Sequence, residues 1–319
     1  MAQPMLDLSI IVVNYNAKLL LQKCLQTLFE NTKHINFEVF VVDNNSKDAS
    51  QEFIKLHFPQ IKLISNKKNV GFAKANNQAI KKSIGRNILL LNPDTEIIQN
   101  TFYEMVMFLD NNLNAGAVGC KLLNTDYTLQ FSLKRFPTLL NTISRRFRLE
   151  GKKPFFHSQK FVGTITDVKY YNRLHTIEFA LGACLMVKRN VLLNIGLLDE
   201  QFFLYGEEID LCYRIQKYGW KVYYLPNISI IHHRNKTTEI IDNRNLIISL
   251  RQLKSEYLFI AKYHNLLYTR IYKTVITAKI LLSIFKNAAF KQIKIAGKGD
   301  QYSQFISKYI DFLKWFFNK

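Results

Sequence analysis

Hydrophobic residues run unbroken through "IIVV" and then give way to the polar "NYN" at 14–16. The same change recurs where "FVV" meets "DNNSKD" and where "ILLL" meets "NPDTE". A continuous apolar run, rather than an alternating one, predicts a strand covered on both faces of a parallel sheet. Strands are thus predicted over 8–16, 37–48, 61–66 and 87–97. Between them the spacing turns helical. Leu20, Cys24, Leu25 and Leu28 recur at helical intervals, a helix is expected around 49–57, and "GFAKANNQAIKKS" (71–83) reads as a helix led by glycine. Strand and helix in regular order give an α/β doubly wound sheet.

Past residue 115 the pattern loosens. The basic stretch "SLKRFPTLLNTISRRFRLEGKKPF" (132–155) reads as an excursion from the core, and 177–196 as a buried segment followed by a helix. Residues 219–233 read as two short strands joined at Pro226-Asn227. Beyond 240 the chain is predicted to be helical, aromatic and basic.

A hydrophobic content of 48% is ample for a buried core and argues against disorder. The net charge is +20, and residues 240–319 carry half of it, with fourteen Lys or Arg against four Asp or Glu. Nucleic acid, an anionic membrane surface and phosphorylated substrates all stay open as partners. The four cysteines show no C-x-x-C spacing and read as reduced core residues. The opening "MAQPMLDLSIIVV" has no basic n-region and no cleavage site, which argues against a signal peptide. No run reaches the about 18 uncharged apolar residues of a membrane span. These features point to a cytoplasmic protein and leave surface attachment open.

The polar residues that follow the strands collect where a doubly wound sheet binds ligands, beyond the carboxyl ends of its strands. Asn14, Tyr15 and Asn16 follow the first strand, Asp43, Asn44 and Asn45 the second, and Asn92 and Asp94 the fourth. Loops favour Asn and Asp in any case, so it is the coincidence at three strand ends that points to a site. Asp94 can hold Mg2+ or Mn2+ against a diphosphate, or simply form a Pro-Asp turn. Asp43 can accept from a base or ribose, or cap the next helix. Neither a G-x-G-x-x-G nor a P-loop motif is present. His232 and His233, adjacent on a strand, should face opposite ways, each readable as a ligand or as a structural histidine. In "FFLYGEEIDLCYR", Glu207, Glu208 and Asp210 open a helix, where the macrodipole favours carboxylates whatever their role. Glu208 and Asp210 are two apart and point differently, so one can face a pocket while the other pairs with a group such as Arg214.

Taken in order, "SIIVVNYN", "VVDNNSKD", "NVGFAKANN", "LLLNPDTEI" and "GACLMV…DEQFFLYGEEIDLCYR" resemble a family 2 glycosyltransferase of the rhamnosyltransferase-like branch. The resemblance covers about Leu8 to Thr238. It implies a GT-A fold, that is, a Rossmann-like, doubly wound mixed sheet, with a helical basic C-terminal extension following it here. The catalytic domain would occupy 1–239, with a donor half to about 115 and an acceptor half over 116–239, and the extension 240–319. The family implies a nucleotide-diphosphate sugar donor, a divalent metal and inversion at the anomeric carbon.

Carried over, Tyr15 lies against the nucleobase and Asp43 accepts from its imino N–H. Asn14, Asn45, Gly71, Phe72, Asn76 and Asn92 belong to the donor pocket. Asn92 and Asp94 stand at the D-x-D position, with Asn replacing the first acid, and His232 completes the metal site. Glu208 stands where the family has its catalytic base, usually Asp, with Glu207 beside it; Asp199, Tyr205 and Asp210 lie on the acceptor side. The function implied is transfer of a sugar to a hydroxyl of a glycan or a polyprenyl-diphosphate-linked acceptor in bacterial surface polysaccharide synthesis. The base takes the acceptor proton while the leaving diphosphate is neutralised.

Other readings are a catalytically weak nucleotide-sugar-binding protein, a nucleotidyltransferase and a basic nucleic-acid-binding protein. Carboxylates at the strand ends would repel phosphates and disfavour the last. In the tail, Ile271, Val275, Ala278, Leu282, Phe285 and Ala289 follow helical spacing as an apolar stripe, with Lys279 and Lys286 on another face. Trp315, Phe316 and Phe317 end the chain among lysines. This predicts docking on the inner face of the cytoplasmic membrane, where the basic 132–155 segment would meet the acceptor diphosphate. A helical layer packed on the catalytic domain is the alternative.

Overall fold

The computed structural model describes residues 6–146, 163–233, 244–292 and 299–318. The chain forms two compact units, Met1–Phe136 with Thr164–Thr237, and Pro137–Gly163 with Thr238–Lys319.

In the first unit, β1 (Leu8–Asn14), β2 (Phe37–Asp43), β3 (Lys62–Ser65) and β4 (Asn87–Leu91) are parallel and ordered β3-β2-β1-β4. Helices α1 (Lys18–Asn31), α2 (Ser50–His57) and α3 (Phe72–Ile80) connect them. Every residue of β1 is buried, because successive side chains enter opposite faces. Leu8, Ile10 and Val12 meet α1 through Leu21, Leu25 and Leu28, while Ile11 and Val13 share the other core with Ala73 and Ala79 of α3.

The 87–97 stretch is not one strand. β4 stops at Leu91, and β5 (Thr95–Ile97) pairs at the far edge of the sheet. Pro93 has no N–H for the ladder and biases Asn92 away from helix, so the chain turns there. After α4 (Thr101–Asn111) come β6 (Ala115–Leu123), β7 (Leu133–Lys134) and α5 (Leu139–Arg146), the last in the second unit. They are followed by β8 (His175–Thr176), β9 (Phe179–Ala180), β10 (Cys184–Lys188), α6 (Arg189–Ile195), α7 (Glu207–Lys217) and β11 (Lys221–His232). The sheet continues β4-β10-β6-β11-β5, with β10 antiparallel to both neighbours, so it is mixed rather than purely parallel.

Residues 221–232 form one strand, not two. Its pairing with β6 shifts register between Leu225 and Ser229, a bulge that absorbs Pro226. The 132–155 stretch also starts inside the core: Ser132 and Leu133 are buried and β7 pairs with β9. Its basic residues 147–155 lie outside the described residues. All four cysteines are free and buried.

The second unit adds α8 (Arg244–Tyr263), α9 (Leu266–Gln292) and α10 (Gly299–Phe317). Tyr257, Ile260, Tyr272, Ile276, Phe312 and Phe316 are buried here. The Phe316 ring sits 4.6 Å from that of Tyr257, so of the two terminal phenylalanines only Phe317 is exposed. Among the described residues no helix is long and apolar enough to cross a membrane.

Candidate active site

Parallel register sets the first corner. Asn14 pairs with Asp43 across β1 and β2, and Val12 with Leu91 across β1 and β4, so all three strands end at one edge. Asp43 is fully buried and well supplied with donors. Its Oδ1 accepts from Ser46 N at 2.9 Å and Gln51 Nε2 at 2.7 Å, and its Oδ2 from Asn14 Nδ2 at 2.9 Å. The Asp43 carboxylate is thereby fixed in place. Asn14 Oδ1 and Asn76 Oδ1 are buried acceptors with no protein partner, as polar atoms awaiting a ligand would be. Tyr15 is half exposed at the mouth. Asn45 adopts a left-handed φ of 69°, and its Oδ1 accepts from Lys47 Nζ at 3.0 Å.

Gly71 closes this corner against the 199–206 loop. Its φ is 88°, and a Cβ there would lie 2.7 Å from Phe203 O, so both the conformation and the space require glycine. Phe72 N donates to Phe203 O at 2.7 Å. Asn77, next to Asn76, holds the same loop: its Nδ2 donates to Leu198 O at 2.8 Å and its Oδ1 accepts from Leu198 N at 3.1 Å. Asp199 caps the start of that loop, accepting from Gln201 N at 3.0 Å.

The second corner is Asp94 with His232, both buried, where His232 Nε2 lies 3.4 Å from Asp94 Oδ1. Gln130 sets the imidazole. Its Nε2 donates to Asn124 Oδ1 at 2.9 Å and to His232 O at 3.2 Å, so its Oε1 faces His232 Nδ1 at 2.7 Å and accepts that proton. Nε2 then carries the ring's lone pair toward the Asp94 carboxylate, an arrangement that a cation between them would relieve. An imidazole nitrogen and a buried carboxylate oxygen this close, with the tautomer fixed from behind, can supply two ligands to a divalent metal, and among the described residues no group of three His, Cys, Asp or Glu side chains gathers there. His233 faces away, onto Glu96, which also pairs with Lys23.

The third corner begins at Tyr205 and Gly206, with left-handed φ of 67° and 94°, which turn the chain sharply into α7. A tyrosine in this region is strained, and such strain clusters at functional sites. Glu207 is buried, with Oε2 unpaired. Burial, then the adjacent Glu208 carboxylate, pushes its carboxyl well above the usual range. Glu208 is half-buried, and its Oε2 accepts from Gly206 N at 2.9 Å. Burial raises its pKa too, against backbone donors and the pull of Lys134. Asp210 does not share their surroundings. It is buried and bound to Arg214 Nε at 2.8 Å, and Arg214 also donates to the carbonyls of Ile195, Gly196 and Leu197. It therefore ties α7 to the end of α6 rather than facing an acceptor.

One backbone step joins these corners. Asn92 N donates to Ala183 O at 2.9 Å, and the preceding residue, Gly182, lies against the Glu208 side chain. Sequence reasoning overlooked Gly182, Asn77, Gln51 and Gln130. Asn77 had a visible signal, a second amide on an apolar helix. Gln130 had none, since its partner His232 lies 102 residues on.

Residues 9–192 match the family described as glycosyl transferase family 2. An N-acetylglucosaminyl-diphospho-decaprenol L-rhamnosyltransferase of Mycobacterium tuberculosis is 23% identical over 81% of this chain and 85% of its own. A dTDP-rhamnosyl transferase of Shigella flexneri is 26% identical over 70% of this chain and 67% of its own. Among solved structures, a mannosyltransferase from Pyrobaculum calidifontis in complex with GDP-Man and Mn2+ superposes with a TM-score of 0.54. It is 14% identical, and the match covers 98% of this chain and 90% of that one. The fold is that of the GT-A glycosyltransferases.

Proposed function

This chain belongs to glycosyl transferase family 2, and from that premise we propose that it moves a hexosyl or deoxyhexosyl group from a nucleotide-diphosphate sugar to an acceptor hydroxyl with inversion. Rhamnosyl is the group named in both relatives. A decaprenyl diphosphate carries the acceptor of one of them, so the acceptor proposed here is a glycan built on a polyprenyl diphosphate for bacterial surface polysaccharide, at the inner face of the cytoplasmic membrane.

The observation that carries this reading is the placement of Glu208. Its side chain faces Gly182, one residue from the carbonyl that receives Asn92 N. A proton acceptor thus stands beside the strand end that bears the donor-side groups. Glu208 takes the proton of the attacking hydroxyl, and a raised pKa brings a carboxylate closer to the basicity that step uses. Asn14 Oδ1 and Asn76 Oδ1 offer acceptors to the donor's N–H and O–H groups. Asp94 and His232 would hold a divalent cation, which supplies positive charge to the departing diphosphate. Direct displacement with one base inverts the anomeric centre.

The test is a panel of nucleotide sugars, scored first for thermal stabilisation with Mn2+ and then by mass spectrometry for transfer to a polyprenyl-diphosphate-linked N-acetylglucosamine. Mass gain on that acceptor from one donor supports the reading. Stabilisation by no nucleotide sugar contradicts it.

A further inference from the structure

Helix α9 has two apolar faces. Tyr272, Ile276 and Ile280 are buried on one of them. The opposite face carries Leu267, Ile271, Ala278, Leu281, Leu282 and Phe285, all exposed, with Leu267 at 68% and Phe285 at 75%. At 3.6 residues per turn these six fall within an arc of about 100° and a length of about 27 Å. Thr274 lies in the same arc and turns its hydroxyl onto Arg270 O at 3.0 Å, which leaves the strip without a free polar group at that point. A strip this long is more than scattered surface leucines, which need no explanation.

Charge decides what covers it. The α9 sequence holds five Lys or Arg and no Asp or Glu. Arg270 borders one edge of the strip and Lys279 the other. A second copy of the chain laid on this face would bring like charges together along its whole length. An anionic bilayer would instead receive the apolar strip among its acyl chains and the flanking cations at its headgroups. We propose that α9 lies in the plane of an anionic bilayer, embedded through the Leu267–Phe285 strip, and is the surface by which the enzyme meets a lipid-borne acceptor. This deepens the transferase reading and rests on it for its purpose, though not for its geometry.

The strip differs from the one predicted by spacing alone. Leu267 and Leu281 join it, and Val275 is only half exposed. The terminal aromatic run contributes less than expected, because Phe316 is spent on the helical core.

The experiment is flotation of the full chain with vesicles of phosphatidylcholine alone or mixed with phosphatidylglycerol, with nucleotide-sugar hydrolysis measured in the same samples. The chain should float with the mixed vesicles, and high salt should release it. Leu281→Ser with Phe285→Ser should lower the partition on the order of tenfold or more. Arg270→Glu with Lys279→Glu, which leaves the strip intact, should weaken binding to the mixed vesicles only. Equal flotation of wild type and the Leu281/Phe285 variant overturns the proposal. So does wild type that ignores both vesicles and instead dimerises through this face, with the same substitutions restoring the monomer. Flotation without hydrolysis of any donor would strike the transferase reading and leave this surface standing.

Discussion

Gly182 faces the Glu208 side chain with room for little more than a methyl group: a Cβ on residue 182 would lie 3.4 Å from Glu208 Cβ and 3.8 Å from its carboxyl carbon. A methyl group can be accommodated there, but a branched side chain would push the carboxylate aside. Gly182→Val should therefore reduce transfer about 100-fold, the cost of a misplacement near 1 Å. Nucleotide-diphosphate affinity should stay within error. Comparing kcat with the calorimetric Kd checks this, and a loss confined to Kd would place residue 182 on the donor side.

The adjacent carboxylates Glu207 and Glu208 make stability depend on pH in an uncommon direction. Burial and then mutual repulsion raise Glu207, so the folded protein holds protons that the unfolded chain has released. Their stabilising contribution is complete below about pH 4.3, the unfolded value, and is lost as pH rises through the folded pKa values. Glu207→Gln should accordingly melt higher than wild type at pH 8, with the gap closing toward pH 5. Melting curves across that range decide it; a constant gap would place the effect elsewhere.

Gln130 fixes the His232 tautomer through Nδ1. Gln130→Leu should weaken Mn2+-dependent nucleotide-diphosphate binding about 10- to 100-fold, as loss of such supporting partners does. Titrations with and without Mn2+ in both proteins measure this. If wild type shows no Mn2+ dependence, Asp94 and His232 do not hold a metal.

Asn77→Ala removes both hydrogen bonds to Leu198 and leaves its buried backbone N–H and C=O short of partners. A loss of about 1–3 kcal/mol in urea unfolding is expected. Unchanged stability would mean the loop finds other partners.

Strand ends were legible because the change from apolar to polar residues is local. "SIIVVN" and "FEVFVVD" announce both the strands and the edge where Asn14 and Asp43 meet. What could not be read depends on distant pairing. The antiparallel β10, the separation of β5 from β4 and the unbroken β11 are set by neighbours far along the chain, and a local pattern carries no register. The same holds for the site. Glu208 could be singled out from its motif, but Gly182 and Gln130 gain their roles only from what the fold sets beside them. Asp210 was legible in part: the two-residue offset from Glu208 gives it another direction and the pairing with Arg214, while the resemblance alone had set it on the acceptor side.

The central claim is that Glu208 deprotonates the acceptor. Glu208→Gln keeps the shape and removes the base, so single-turnover transfer should fall by about 10²–10⁴ while nucleotide-sugar affinity is kept. Because burial raises the Glu208 carboxyl, the acid limb of the wild-type rate should lie above the usual carboxylate range, and it should vanish in the variant. Transfer by Glu208→Gln at the wild-type rate, with the limb unmoved, would contradict the account.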